Sequence, residues 1–291
     1  MNKLQSAKEA VAAVQSGMTI GIGGWGPRRK PMALVRELLR SDATDLTVIA
    51  YGGADVGMLC AAGKVKKVIF AFVSLDFMPL EPGFRQARQA GAIEVFEIDE
   101  GMMLQGLRAA SWRIPFIPTN VGLGTDVVAR NPELKIIDSP YDDKEWVAMP
   151  ALNMDVSLIH ATRCDERGVC EIASPDVYMD DLFARAAKHT IVSCDELVPT
   201  SHFSDPQVAR SVFWERAHTQ SVVHIPGGAH PSSSDPLYGF DVKHFKAYGE
   251  AVGAGEFEAY LNNHVVGKSE EDYRAQVGGL DAIQALPLPA Y

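Results

Sequence analysis

A mostly parallel α/β sheet flanked by helices is predicted for this 291-residue chain by three observations. Short apolar runs rich in β-branched residues recur at 46–51, 67–72, 156–161, 190–193 and 221–225. They are continuous rather than alternating, as in strands buried on both faces. The segments between them carry apolar residues at helical spacing, and several strands end in glycine turns such as Gly52-Gly53 and Gly227-Gly228.

Taken in order, residues 6–15 are expected to form a helix, with Ser6 and Glu9 in capping-box spacing. A short strand follows at 19–22, then a helix at 32–40 and the strand 46–51. A helix around 56–62 precedes the strand 67–72, and a helix at 84–90 precedes a strand at 93–98. The helix 102–112 leads to an apolar segment, 114–117, and the glycine-bearing turn 118–126. The polar, acidic stretch 139–145 reads as a surface loop or hairpin inserted within one domain. Residues 257–286 show helical spacing and are expected to pack along the outside or against a partner. Residues 1–291 are therefore expected to form a single α/β domain with a helical tail.

The chain is 47% hydrophobic with a net charge of −10, which argues against general nucleic-acid or anionic-membrane binding. It has no 18-residue apolar stretch and no signal-peptide core, so a cytoplasmic protein is expected. Cys60, Cys164, Cys170 and Cys194 are scattered without a C-x-x-C pair. The spacing of His160, Cys164 and Cys170 matches no common zinc site, so core or loop thiols and no metal are expected. A P-loop, a G-x-G-x-x-G fingerprint, a G-x-S-x-G elbow and H-E-x-x-H are all absent.

The most informative stretch is Gly21-Ile22-Gly23-Gly24-Trp25-Gly26-Pro27-Arg28-Arg29-Lys30-Pro31. Backbone bare of side chains beside three cations suits close approach of N–H groups to an anionic or polarised oxygen. The competing explanation is a tight strand-to-helix turn with a solvated basic patch. Trp25 stands where it would wall an acyl pocket or pack into a core. Asp99-Glu100-Gly101-Met102 follows the strand 93–98, at the strand end that faces the ligand crevice of a parallel sheet. Asp99 suits the helix N-cap, leaving Glu100 as general base, nucleophile or simply a first-turn acid. Asn120 is placed to orient a carbonyl or carboxylate, or to satisfy its own turn. His230, in Gly228-Ala229-His230-Pro231, is a loop residue or lines the site.

Five segments in this order resemble the alpha subunits of class I coenzyme A transferases, nearest the glutaconate branch. They are Ile22-Gly23-Gly24-Trp25-Gly26, the stretch from Asp99 to Ala110, Pro115-Phe116-Ile117-Pro118 with Gly122-Leu123-Gly124, the run from Leu182 to Lys188, and Gly228-Ala229-His230-Pro231. Within that branch, Trp25-Gly26 followed by Arg28-Arg29-Lys30-Pro31-Met32 is similar to the alpha chains of ring-cleaving CoA-thioester hydrolases of bacterial steroid and cholesterol catabolism.

The resemblance implies an α2β2 heterotetramer with the site between unlike subunits, an acyl-CoA substrate, and no cofactor beyond CoA itself. Gly23 and Gly24 would offer amides to an oxyanion. Arg28 and Arg29 would hold substrate carboxylate or carbonyl groups. In the ring-cleaving relatives an alpha-chain glutamate matching Glu100 acts as base on water. In the transferases, the alternative, the nucleophilic glutamate comes from the beta chain. Relatives often carry arginine where Asn120 stands, which leaves Arg28 or Arg29 to supply that cation.

Overall fold

The computed structural model describes residues 2–288. Its first half runs α1 (Ala7–Val11), β1 (Thr19–Trp25), α2 (Met32–Arg40), β2 (Leu46–Gly52), α3 (Ala54–Ala61), β3 (Val65–Val73), α4 (Pro82–Gln89), β4 (Glu94–Glu97) and α5 (Glu100–Ser111). A small unit follows, with β5 (Phe116–Thr119), α6 (Asp126–Arg130), β6 (Lys135–Asp138) and β7 (Glu145–Pro150). The chain then returns through β8 (Met154–Cys164), β9 (Cys170–Glu171), α7 (Asp180–Ala186), β10 (Ala187–Leu197), α8 (Pro206–Ala209) and β11 (Ser221–His224). Four helices close it: α9 (Val242–Gly253), α10 (Phe257–His264), α11 (Glu270–Gln276) and α12 (Gly279–Gln284).

The main sheet has the order β11-β10-β8-β1-β2-β3-β4, all neighbours parallel, with β9 antiparallel on β8. Successive strand residues point to opposite faces, and here both faces are covered. Val48, Val68 and Leu158 join one core beneath α1, α2 and α3, whereas Ile49, Ile69 and Ile159 join another beneath α5 and α7. Two-sided burial is why these strands read as unbroken apolar runs.

The first helix is shorter than its periodicity suggests. Ala13 and Val14 bond three residues back rather than four, so the helix tightens into a turn after Val11. The strands β5, β6, β7 and β9 escape prediction because they are short and one contains Pro118. Of these, β5, β6 and β7 form an antiparallel sheet of order β5-β7-β6, and the acidic stretch 139–145 joins β6 to β7. No helix among the described residues is long and apolar enough to cross a membrane.

The tail packs on this chain's own α2. Glu270 accepts from Arg36 Nε at 3.0 Å and Arg40 Nη2 at 3.0 Å, and Arg36 lies 3.7 Å over the Tyr273 ring. His230 and His244 lie beneath it, and their rings meet at 5.3 Å.

Burial pushes both imidazoles down, His244 to about 3, and also lowers His189 and His264. An unfolded histidine titrates near ~6.5, so the stability these groups contribute is complete above that pH. It is lost as pH falls toward the folded values. Glu81, pushed up to about 7 by burial, works in the opposite sense, losing its contribution as pH rises. Asp180 and Asp181, also raised by burial, act in the sense of Glu81, so the histidine contribution shows as a difference between variants. Between pH 7 and pH 5 the melting temperature of the parent is expected to fall relative to that of His244→Gln, which lacks the His244 shift. Parallel profiles for parent and variant in differential scanning fluorimetry would contradict this account.

Candidate active site

Carboxyl ends of parallel strands face one side, and the strand order reverses at β1, which has β8 on one edge and β2 on the other. Ligand crevices open at such points. Trp25, the last residue of β1, stacks on Tyr51 of β2 with ring centroids 4.6 Å apart and planes at 18°. Phe72 of β3 lies 4.9 Å from the Trp25 ring, and Tyr178 lies 6.3 Å away. Four aromatic side chains from distant segments thus make one wall, with Trp25 half-buried at its edge.

The wall is tied to Glu100. Tyr51 Oη donates to the Glu100 carbonyl at 3.1 Å. Burial, reinforced by the charges of Glu100 and Asp99, raises the Tyr51 phenol, so it stays a neutral donor. Asp99 caps α5 by accepting from the Gly101 N–H at 2.7 Å. Glu100 opens the helix with an exposed side chain. Its carboxylate has no hydrogen-bond or ion-pair partner among the described residues. Val121 approaches to 3.4 Å of where a Gly101 Cβ would stand, so the exposed Asn120 and its turn flank the same helix start. Trp25, Glu100 and Asn120 therefore border one region.

The basic cluster separates into three fates. Arg28 pairs with Asp76 and remains half-buried at the rim. Arg29 turns inward and is 1% exposed. It donates to the carbonyls of Asp176 at 2.7 Å and Val177 at 2.8 Å, and to Asp180 Oδ2 at 3.0 Å. Lys30, also buried, faces Asp55 at 3.1 Å. Burial lowers its ammonium, against the opposing pull of Asp55 and Asp180. Neither a solvated basic patch nor a substrate-holding Arg29 matches these positions: the guanidinium is spent on holding the turn from below.

The glycines also differ from expectation. The Gly24 N–H donates to Asp180 Oδ1 at 2.8 Å instead of facing a ligand. A Cβ on Gly23 would stand 2.4 Å from that same carboxylate oxygen, so Gly23 admits Asp180 beneath the strand. Gly24, at φ +74°, would drive a Cβ to 2.5 Å from the Arg28 carbonyl. Four further turn amides are engaged: Trp25 with Arg28 O at 2.9 Å, Gly26 with Tyr51 O at 3.2 Å, Arg29 with Ser233 O at 2.8 Å, and Lys30 with Ser232 Oγ at 3.1 Å. The bare backbone serves a close crossing of α7 in this conformation. Sequence reading missed Asp180 and Tyr51. Two acids opening the helical run at 180–186 were the available signal for the first, and nothing local marked the second.

His230 is a buried polar core residue, bonded through Nδ1 to Tyr273 Oη at 2.9 Å and through Nε2 to Asp241 Oδ2 at 3.3 Å. His230, Asp241 and His244 bring donor atoms within 4.8 Å, the one such grouping spaced for a metal among the described residues. The Arg36 guanidinium donates to the His230 carbonyl at 2.8 Å, a cation beside this group that disfavours a second one. All four cysteines are free and buried. His160 faces Ser193 at 2.9 Å and Asp195 at 2.9 Å.

The family model for coenzyme A transferase matches residues 4–209. The cholesterol ring-cleaving hydrolase IpdA subunit of Rhodococcus jostii RHA1 is 44% identical over 284 residues, covering 95% of this chain and 96% of the relative. The subunit of the same name from Mycobacterium tuberculosis H37Rv is 42% identical over 289 residues, covering 97% and 99%. The crystal structure of glutaconate coenzyme A-transferase from Acidaminococcus fermentans superposes with a TM-score of 0.92 at 28% identity, covering 99% of this chain and 96% of that one. A match over most of the length by sequence family, together with full-length agreement in fold, settles the kinship: the chain belongs to the coenzyme A transferase family.

Proposed function

We propose that this chain is the alpha-type subunit of a cytoplasmic heteromeric hydrolase that opens the ring of a cyclic β-oxo acyl-CoA in steroid degradation. Glu100 is its general base. The observation that carries the reading is the 44% identity, end to end, with a subunit of a cholesterol ring-cleaving hydrolase. The geometry supports it. A carboxylate without a partner among the described residues stands at a helix start near the half-buried Trp25 and Phe72, which the buried Tyr51 and Tyr178 back, an apolar surface for a steroid-derived ring system.

In this reading water attacks the ring ketone as Glu100 takes its proton. The ring C–C bond then breaks, and its electron pair passes to the carbon beside the thioester, which the CoA ester stabilises. Glu100 returns the proton to that carbon, so one water is consumed and a carboxylate appears. CoA enters as part of the substrate, and no resident cofactor or metal is required. The unlike subunit completes the site, which is open on this chain's side, in an α2β2 assembly.

Arg28 holds a substrate carboxylate or carbonyl by exchanging Asp76 for it, a role left to Arg28 because Arg29 is buried. Arg28→Ala is expected to raise KM by about tenfold or more with folding intact, the loss of one charge-assisted contact. An unchanged KM would return Arg28 to the status of a surface ion pair.

The transferase alternative keeps its fold-level support from the glutaconate enzyme. One assay separates the two. The complex with its unlike subunit is given a cyclic β-oxo acyl-CoA in 18O-water, with and without acetate or succinate, followed by borohydride. Acceptor-independent ring opening with one 18O in the new carboxylate is expected. Acceptor-dependent CoA exchange with a borohydride-trapped glutamate would overturn the hydrolase.

A further inference from the structure

Four buried side-chain polar atoms lack a hydrogen bond among the described residues, and three of them belong to Arg29, Lys30 and the acid that Lys30 faces, Asp55. Lys30 Nζ stands 3.1 Å from Asp55 Oδ2, and the two side chains are 1% and 0% exposed. The contact is an ion pair by distance but lacks hydrogen-bond geometry. A buried pair left incomplete in this way gives up more hydration than its attraction returns, and apolar residues in its place are often as stable. Global stability is therefore a poor reason for these two charges. Local rules are broken mainly where a site needs it.

The surroundings of Asp55 supply such a need. Its Oδ1 accepts from the Gly53 N–H at 2.7 Å and so fixes the backbone between β2 and α3. Gly53 is pressed against the turn that follows β1: a Cβ on it would stand 2.3 Å from the Gly26 carbonyl oxygen. Gly26 donates to the Tyr51 carbonyl at 3.2 Å, and Ser74, just past β3, donates to the Gly52 carbonyl at 3.0 Å. Three strand ends thus meet in one hydrogen-bonded cluster. Lys30 reaches it from the turn, where Ser232 Oγ holds its N–H at 3.1 Å. Tyr51 leaves it toward the site, stacked on Trp25 and donating to the Glu100 carbonyl at 3.1 Å.

We propose that Lys30 and Asp55 are positioning residues for the reaction. Their ion pair holds the end of β2 against the turn after β1, and through the Tyr51 hydroxyl it sets where Glu100 presents its carboxylate. This rests on Glu100 as the base. It adds a line of contacts from Lys30 through Asp55, Gly53 and Tyr51 to Glu100.

The test compares stability with turnover, using this chain assembled with its unlike subunit and a cyclic β-oxo acyl-CoA. Lys30→Met alone leaves the Asp55 charge buried without its partner, so it is expected to melt early. Lys30→Met with Asp55→Asn removes both charges and keeps an acceptor for Gly53. It is expected to recover most of the melting temperature while kcat stays about tenfold below the parent, with KM within about threefold. That loss is part of the ~10²-fold that a misplacement of about 1 Å brings. Tyr51→Phe keeps the ring stacked on Trp25 and removes the hydroxyl, and it is expected to lower kcat by about as much. In the Tyr51→Phe background the Lys30–Asp55 substitutions are expected to lower kcat by less than about threefold further, because both act through one contact.

A parental kcat in the charge-free variant, at a recovered melting temperature, overturns the positioning role and leaves Glu100 as the base. Full additivity with Tyr51→Phe overturns it as well, since a pair that only supports the fold would act independently of that hydroxyl. If the charge-free variant also melts early, Tyr51→Phe decides: a parental kcat there removes the only route from the pair to Glu100. Absence of ring opening by the parent complex overturns the hydrolase reading, and the positioning role with it.

Discussion

Glu100→Gln is expected to lower kcat by roughly 10²–10⁴-fold, the range that general base catalysis supplies, with the assembled enzyme otherwise intact. Glutamine keeps the length and polarity of the side chain but cannot accept the proton from water. Stability should hardly change, because the Glu100 side chain is exposed and Asp99 holds the helix start through Gly101 at 2.7 Å. The tie from Tyr51 uses the Glu100 backbone carbonyl, which the substitution leaves in place. Single-turnover kinetics with the complex measure this directly. Loss of kcat with unchanged KM and melting temperature fits the base. A kcat within a few-fold of the parent would remove Glu100 from the chemistry and favour a nucleophile on the other subunit.

The largest effect on stability is expected at Asp180. Its carboxylate is fully buried and accepts from the Gly24 N–H at 2.8 Å and from Arg29 at 3.0 Å. Burial pushes the carboxyl up, while Arg29 and the Gly24 amide pull it back toward the charged form. In Asp180→Ala the Arg29 charge would stay buried without its counter-charge, a loss of about 3–5 kcal/mol. At ~2–4 °C per kcal/mol for a chain of this size, the melting temperature should fall by at least ~6 °C. The turn that carries Trp25 would loosen with it, so activity should fall as well. The double variant Arg29→Met with Asp180→Leu removes both charges, and it is expected to recover much of the stability. A melting temperature within a degree or two of the parent in Asp180→Ala would show that the pair does not anchor the turn.

Local pattern was enough for much of the fold. Residues 32–40 form α2 with the bounds their periodicity indicates, and the cap at Asp99 follows from side-chain chemistry within two residues. The apolar runs declared two-sided burial, and hence a parallel sheet, because a face left to water would have shown alternation. The 139–145 hairpin is visible as turn chemistry, but not the strands it joins, since strands of four and six residues carry too short a pattern to stand out.

The chemistry of the turn is another matter. Glycines at 21–26 and cations at 28–30 announce a special backbone, either ligand-facing or a tight turn beside a solvated basic patch. In the structure, Gly23 makes room for Asp180, and Arg29 reaches the same acid across 151 residues of chain. Tyr51 gave no sign that it links Trp25 to Glu100, because a tyrosine at a strand end looks like any other apolar strand residue.

The sequence by itself determined the fold class, the family and the nomination of Trp25, Arg28, Glu100 and Asn120 as site candidates, all from short-range pattern and motif order. Only the tertiary structure decided which cation stays at the rim and which are consumed beneath it. Burial, pairing and the direction of a side chain depend on partners that the sheet order brings together from distant parts of the chain, and no spacing along the sequence encodes those meetings.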